Sequence, residues 1–194
     1  MSERLLGPIV LLQVQRRPVK APGGTYDPGA ILPVTEAWLG PDGMVGYHDG
    51  AWVLDSHHSA HPARRGGAGR ALSIGFTGHY ALMEARFGRV VPGIGGENIV
   101  VAADGRLHAE DLTGTVVIRT TEGELALGGV KVAAPCLHFT SFLLGLPRVA
   151  DRGEVADDLD FLGEGMRGFV LGAEPGTTPL TVHPGDPVWV RPPR

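Results

Sequence analysis

Cysteine and lysine are both scarce in this chain. Cys136 is its only cysteine, so no intramolecular disulfide and no cysteine-based zinc cluster can form. Lys20 and Lys131 are its only lysines, and neither sits in a cofactor motif. A buried Schiff-base lysine is therefore not expected, which argues against pyridoxal phosphate. Aromatic residues make up 6% of the chain. No apolar run is long enough to span a bilayer: residues 5–14 come closest, and they end in Gln15-Arg16-Arg17. Basic runs are also missing, and the formal net charge is −4. Nucleic acid and anionic membrane are thus not expected as partners. A cytoplasmic protein is the expectation.

Glycine and proline, by contrast, are abundant: 30 and 16 among 194 residues. They are scattered between short apolar runs, the pattern of many turns joining short strands. The fold class expected is mainly β, in one domain over 1–194. Strands are predicted at 9–14, 30–39, 116–120, 124–132, 168–171 and 188–190, with Pro33 pushing the second toward an edge, and 90–101 reads as a glycine-rich turn feeding a further strand. Helix is predicted at 77–87, capped by Thr77 and ended by Gly88, with Tyr80, Met83 and Phe87 on one face. Shorter helices are expected at 138–144 and 157–162. Residues 46–75 read as the least regular part of the chain.

Chemistry-bearing residues fall in four places. Cys136, after a strand and behind Pro135, reads either as a soft-metal ligand or sulfur carrier at a strand end, or as a small buried hydrophobe. His138 could support its thiolate. The glycine turn at 93–98 brings a backbone close to a ligand, with Glu97 and Asn98 beside it, or is simply a tight turn. His57, His58 and His61 lack metal-site spacing and read as solvated loop histidines. Arg64, Arg65 and Arg70 among glycines could hold a phosphate, and 57–70 reads as a mobile segment or an ordered lid.

Three stretches in order resemble one family. Pro92-Gly93-Ile94-Gly95-Gly96-Glu97-Asn98 is similar to the P-G-x-x-G-E-N motif of the MOSC family, named after the carboxy-terminal domain of molybdenum-cofactor sulfurase. Ala133-Ala134-Pro135-Cys136 resembles its R-x-P-C element, with Ala133 where the family often has arginine. Gly165-Met166-Arg167-Gly168-Phe169-Val170, then Gly185-Asp186-Pro187-Val188, resembles its closing pattern. The likeness covers about 76–190. It implies a MOSC-type β-barrel, similar to the pyruvate-kinase barrel class, with a few peripheral helices. It also implies binding of molybdenum cofactor (molybdopterin), with Cys136 as metal ligand or persulfide carrier. The reaction implied is sulfur transfer or reduction of N-hydroxylated compounds, with a redox or sulfur-donor protein as partner. Gly95, Gly96, Glu97, Asn98 and Arg167 would line the pocket. Its alternative is a non-catalytic binding module on the same fold. Cys136 and the 93–98 turn are expected to meet at one pocket.

Overall fold

A computed structural model describes residues 2–20, 24–64, 71–174 and 176–193. Its first strand organises the rest. β1 (Arg4–Gln15) is 12 residues long, and three other strands pair along it. Arg4 to Pro8 pair with β12 (Pro187–Arg191), and Ile9 to Leu12 pair with β7 (Ile99–Val101). Leu12 to Gln15 then pair with β2 (Ile31–Val34), whose Pro33 sits in the end strand of the sheet, where a missing N–H costs no ladder bond.

From β12 the sheet runs through β8 (Thr115–Arg119), β9 (Glu124–Val132), β10 (Phe169–Ala173) and β6 (Leu72–Phe76) to β7 and back to β1. Seven strands thus close into a barrel, and the protein is mainly β as expected. Closure matters because an open edge leaves backbone donors and acceptors unpaired. Near the closing seam, Glu3 accepts hydrogen bonds from Arg119 of β8 and Arg191 of β12, and Glu124 accepts from the same two arginines. These groups are partly exposed, so solvent screens each pair and the seam rests mainly on its backbone ladder.

β6 and β7 run parallel, which requires a crossover. Helix α1 (Thr77–Phe87) supplies it and packs outside the barrel, burying His79, Tyr80 and Met83. Gly88 ends the helix with a positive φ of 85°, as expected. Thr77 is not the cap. Phe76 holds that position, and the Thr77 hydroxyl instead exchanges hydrogen bonds with the backbone of Ala103, 3.0 Å each way. Two short helices, α2 (Leu137–Leu143) and α3 (Ala156–Phe161), lie where the sequence placed them, within a residue.

Two expectations are corrected. The single strand at 30–39 is broken at Thr35: β2 stays with the barrel, while β3 (Glu36–Gly40) starts a second, four-stranded sheet. The stretch 46–75 is also more regular than expected, because it carries the second half of β4 (Gly43–His48), all of β5 (Ala51–Leu54) and most of β6, with turns at 55–64. Asp49 and Gly50 join β4 to β5 with φ of 47° and 85°, the backbone of a two-residue hairpin. β11 (Leu180–Val182) completes this sheet. Gly46 lets β4 lie against β1 and β2, since a Cβ there would be 2.6 Å from Val34 Cγ1 and 2.9 Å from Val14 Cγ1. Ala37, Leu39, Met44 and Val182 accordingly join the barrel core of Ile9, Leu12, Phe76, Ile118 and Phe169. No helix among the described residues is long and apolar enough to cross a membrane.

Candidate functional site

The 93–98 turn lies between α1 and β7, against the end of β1. Gln13 Nε2 donates to the Gly93 carbonyl at 2.6 Å, and Gln15 Nε2 donates to the Gly96 carbonyl at 2.8 Å. The Tyr26 hydroxyl donates to the Ile94 carbonyl at 2.6 Å. These contacts explain two of the glycines. Gly93 and Gly96 have φ of 85° and 87°, and a Cβ on either would collide with Gln13 or Gln15 at 2.5 and 2.7 Å. Here the close approach is to the protein's own glutamines.

Glu97 and Asn98 turn inward, only 4% and 1% exposed. The buried Tyr80 hydroxyl donates to the Glu97 carboxylate, and Gly95 N–H donates back to Tyr80 at 3.2 Å. Burial pushes the Glu97 carboxyl up, against the opposing pull of Arg167 and Tyr80. Asn98 ties three segments together. Its Oδ1 accepts from the Ser73 amide and hydroxyl at 3.0 Å each, and its Nδ2 donates to Asp55 at 2.9 Å.

Asp55 is the hub the sequence did not reveal. It is 0% exposed, yet both oxygens are satisfied: Oδ2 accepts from Gln15 N–H at 2.7 Å and from Asn98, and Oδ1 accepts from His57 N–H at 2.8 Å and His57 Nδ1 at 2.9 Å. His57 and His58 are therefore not free loop histidines. The Asp55 hydrogen bond raises the His57 pKa above its ordinary value despite opposing burial, whereas burial lowers that of His58.

Cys136 follows β9 and sits, half-buried, immediately before α2. Its sulfur is 3.5 Å from Arg167 Nη1, while Arg167 Nη2 donates to the Gly95 carbonyl at 2.8 Å. The same guanidinium stacks 4.2 Å over the Phe139 ring. Burial acts to raise the Cys136 pKa. The Arg167 charge, the Phe139 amide and Lys20 together outweigh it, so the thiol is more acidic than a free cysteine.

A cavity of about 260 Å³ opens beside this cluster, lined among others by Lys20, Gly95, Gly96, Glu97, Ala133 and Arg167. A smaller hollow of about 160 Å³ adjoins it and shares Gln15, Val19, Lys20 and His57. The structure thus gathers Gly95, Gly96, Glu97, Asn98 and Arg167 on one cavity wall. Cys136 reaches that wall through Arg167 rather than lining the cavity. Arg64 bonds locally, its N–H to the His61 carbonyl at 3.0 Å, and does not line either hollow. Arg65 and Arg70 lie outside the described residues. His138 does not support the thiolate by the expected route; it lines a separate hollow with Gly24, Thr25 and Pro147.

The fold has counterparts among solved structures. The YuaD protein from Bacillus subtilis superposes with a TM-score of 0.56 at 14% identity, covering 97% of this chain and 95% of that one. YiiM from Escherichia coli gives 0.53 at 16% identity, over 97% of this chain and 70% of that one. YiiM from Geobacillus stearothermophilus gives 0.50 at 15%, over 98% and 76%. At these identities the likeness is one of fold. No protein-family model matches the chain, and no curated protein matches it significantly.

Sequence reasoning missed Gln13, Gln15, Tyr26, Lys20 and the Asp55–His57 pair. One usable signal was present: Gln13 and Gln15 alternate with Leu12 and Val14, which marks polar side chains facing away from the core of a strand whose other face is apolar. Asp55 had no such signal.

Proposed function

We propose that this chain is a MOSC-type protein that binds molybdenum cofactor and uses Cys136 in sulfur transfer or in reduction of N-hydroxylated compounds. The observation that carries the reading is the bridge made by Arg167, which touches Cys136 and Gly95 at once. Gly95, Cys136 and Arg167 come from the three ordered motifs, which lie far apart in the sequence. The barrel shared with YuaD and YiiM supports the same reading at the level of fold.

The donor set fits such a ligand in chemistry. Cys136 offers a soft sulfur beside a fixed cation, the form a thiolate needs to be a ligand or nucleophile. Lys20 and Arg167 line the cavity and would neutralise an anionic group. When bound, the cofactor supplies two-electron redox chemistry at molybdenum. The protein's part is to hold Cys136 and the glycine turn in register through Arg167, and to keep Glu97 hydrogen-bonded to Tyr80. A sulfur-donor or redox partner protein belongs to the same reading.

The test is to express the chain in a host that makes the cofactor, then measure molybdenum by elemental analysis and pterin by fluorescence after oxidation. Near-stoichiometric loading is expected, with at least a tenfold loss in Cys136→Ser and an unchanged circular dichroism spectrum. A folded wild type free of both would overturn the reading. One observation favours a second: Cys136 packs against the buried cluster that includes Tyr26 and Phe139 and does not itself line the cavity. A metal-free, folded wild type with an unreactive thiol would support a non-catalytic binding module.

A further inference from the structure

Exposed aromatic residues gather on the outer face of the second sheet. Along β3, Ala37 and Leu39 are fully buried, so Trp38 between them points outward, and it is 49% exposed. Across the ladder Trp38 faces Val45 of β4, and Tyr47, two residues on, faces Trp52 of β5. Trp52 is 52% exposed, and its ring lies 5.3 Å from that of Tyr47 with 58° between their planes. Planes tilted this far offer two walls to a ligand rather than one flat platform. Trp38 is diagonal to Tyr47, so the three aromatic residues form a band across β3, β4 and β5. The charge around this band has one sign. Residues 36–54 contain Glu36, Asp42 and Asp49 but no lysine or arginine. Glu36 stands opposite Tyr47 on the ladder, and Asp49 lies at the β4–β5 turn with its side chain 90% exposed. Each meets a histidine, His183 Nε2 at 3.4 Å and His48 Nε2 at 3.3 Å, and neither meets a guanidinium or ammonium among the described residues.

We propose that this face docks an extended, proline-rich segment of a partner protein that carries arginine. Charge and size both select that occupant. Strands about 4.8 Å apart, with about 3.3 Å per residue along each, give the four-stranded face an area of roughly 300 Å². A stable dimer buries about 800 Å² on each partner, so the face by itself is too small to hold a second copy of the chain. A polyproline II segment is already extended before it binds and loses little conformational freedom, so a small aromatic face suffices for it. Its pyrrolidine rings pack between the tilted walls of Tyr47 and Trp52. Its guanidinium stacks on an indole and pairs with Glu36 or Asp49 at the rim. None of Glu36, Trp38, Tyr47, Asp49 and Trp52 lines the cavity beside Arg167, so the docking face stands or falls apart from the cofactor reading.

The probes are two synthetic peptides, one of proline pairs alternating with arginine and one with glutamate in place of each arginine. Each is titrated into the full chain while the tryptophan indole N–H groups are followed by nuclear magnetic resonance. Trp189 is the internal control: it stands on β12 of the barrel, its Nε1 is buried, and the Arg119 guanidinium lies 4.7 Å over its ring. The arginine peptide is expected to saturate below about 1 mM, moving the Trp38 and Trp52 indoles and leaving Trp189 in place. The glutamate peptide should bind at least about tenfold more weakly. Trp38→Ala should weaken the arginine peptide about tenfold. Asp49→Asn keeps a side chain suited to the positive φ of that turn, and should weaken binding about threefold and flatten its salt dependence. Should Trp38→Ala fail to fold, the wild-type indole shifts and the charge-swapped peptide still decide the point. Equal affinity for the two peptides, no saturation, or unmoved Trp38 and Trp52 indoles would overturn the proposal. So would the same indole shifts given by a soluble β-glucan oligosaccharide or by phosphatidylcholine vesicles and not by the arginine peptide, which would assign the face to a sugar or a lipid surface. Sedimentation of the free chain tests the second copy: a dimer that Trp38→Ala dissociates would also overturn it.

Discussion

Arg167 Nη1 lies 3.5 Å from the sulfur of Cys136. The contact joins a residue between α3 and β10 to one between β9 and α2, and it turns a half-buried thiol into an acidic one. Burial alone would have done the opposite.

Replacing Arg167 by methionine should therefore slow alkylation of Cys136. At neutral pH the rate with iodoacetamide is expected to fall roughly three- to tenfold, as the thiolate fraction drops. Lysine at the same position keeps the charge but not the fork, and should restore part of the rate while losing the hydrogen bond to Gly95. Equal rates in all three proteins would show that Arg167 does not set the thiol's acidity.

Gly168, next to Arg167, is a position where only glycine fits. Its φ is 75°, and a Cβ would lie 2.2 Å from the Ile74 carbonyl oxygen on β6. Gly168→Ala should destabilise the protein by more than about 2 kcal/mol in denaturant titration, or prevent folding. Gly50 is the control: its φ is 85° but open space surrounds it, so Gly50→Ala should cost only about 1 kcal/mol. Similar costs at both sites would show that the clash with β6 is relieved by backbone movement.

His79 makes stability depend on pH. It is buried between Phe76 and Phe169, its Nε2 accepts from Leu107 N–H at 2.9 Å, and burial pushes its pKa down to about 4. The unfolded chain takes up this proton below about pH 6.5 and the folded chain does so only below about 4. Stability should then fall as pH drops through that window, by up to about 3 kcal/mol, and this contribution should level off beneath it. The check is denaturant unfolding between pH 8 and 4. In His79→Gln, which retains an acceptor for Leu107, the slope between pH 6.5 and 4 should shrink; an unchanged slope would assign it to other groups.

The parts of the fold visible in sequence are those with short-range signals. Tyr80, Met83 and Phe87 at helical spacing, closed by Gly88, marked α1. Asp49-Gly50 carried a hairpin signal of the same local kind, yet the histidines and glycines around it obscured β4 and β5. The strand break at Thr35 had no local mark, because Ile31 to Val34 and Glu36 to Gly40 differ in which strands they meet. The His57–Asp55 pair is close in sequence, but Asp55 became a hub only through Gln15 and Asn98.

The sequence by itself determined the mainly β class, the crossover helix, the glycine turn and the identity of the lone thiol, since each rests on composition, period or local backbone freedom. Only the tertiary structure decided what those parts meet. Barrel closure brought Arg167 between Cys136 and Gly95, turned Glu97 toward Tyr80, and set His57 over a buried carboxylate. Such pairings depend on strand order and register, which link residues far apart in the chain through hydrogen bonds that no local pattern encodes.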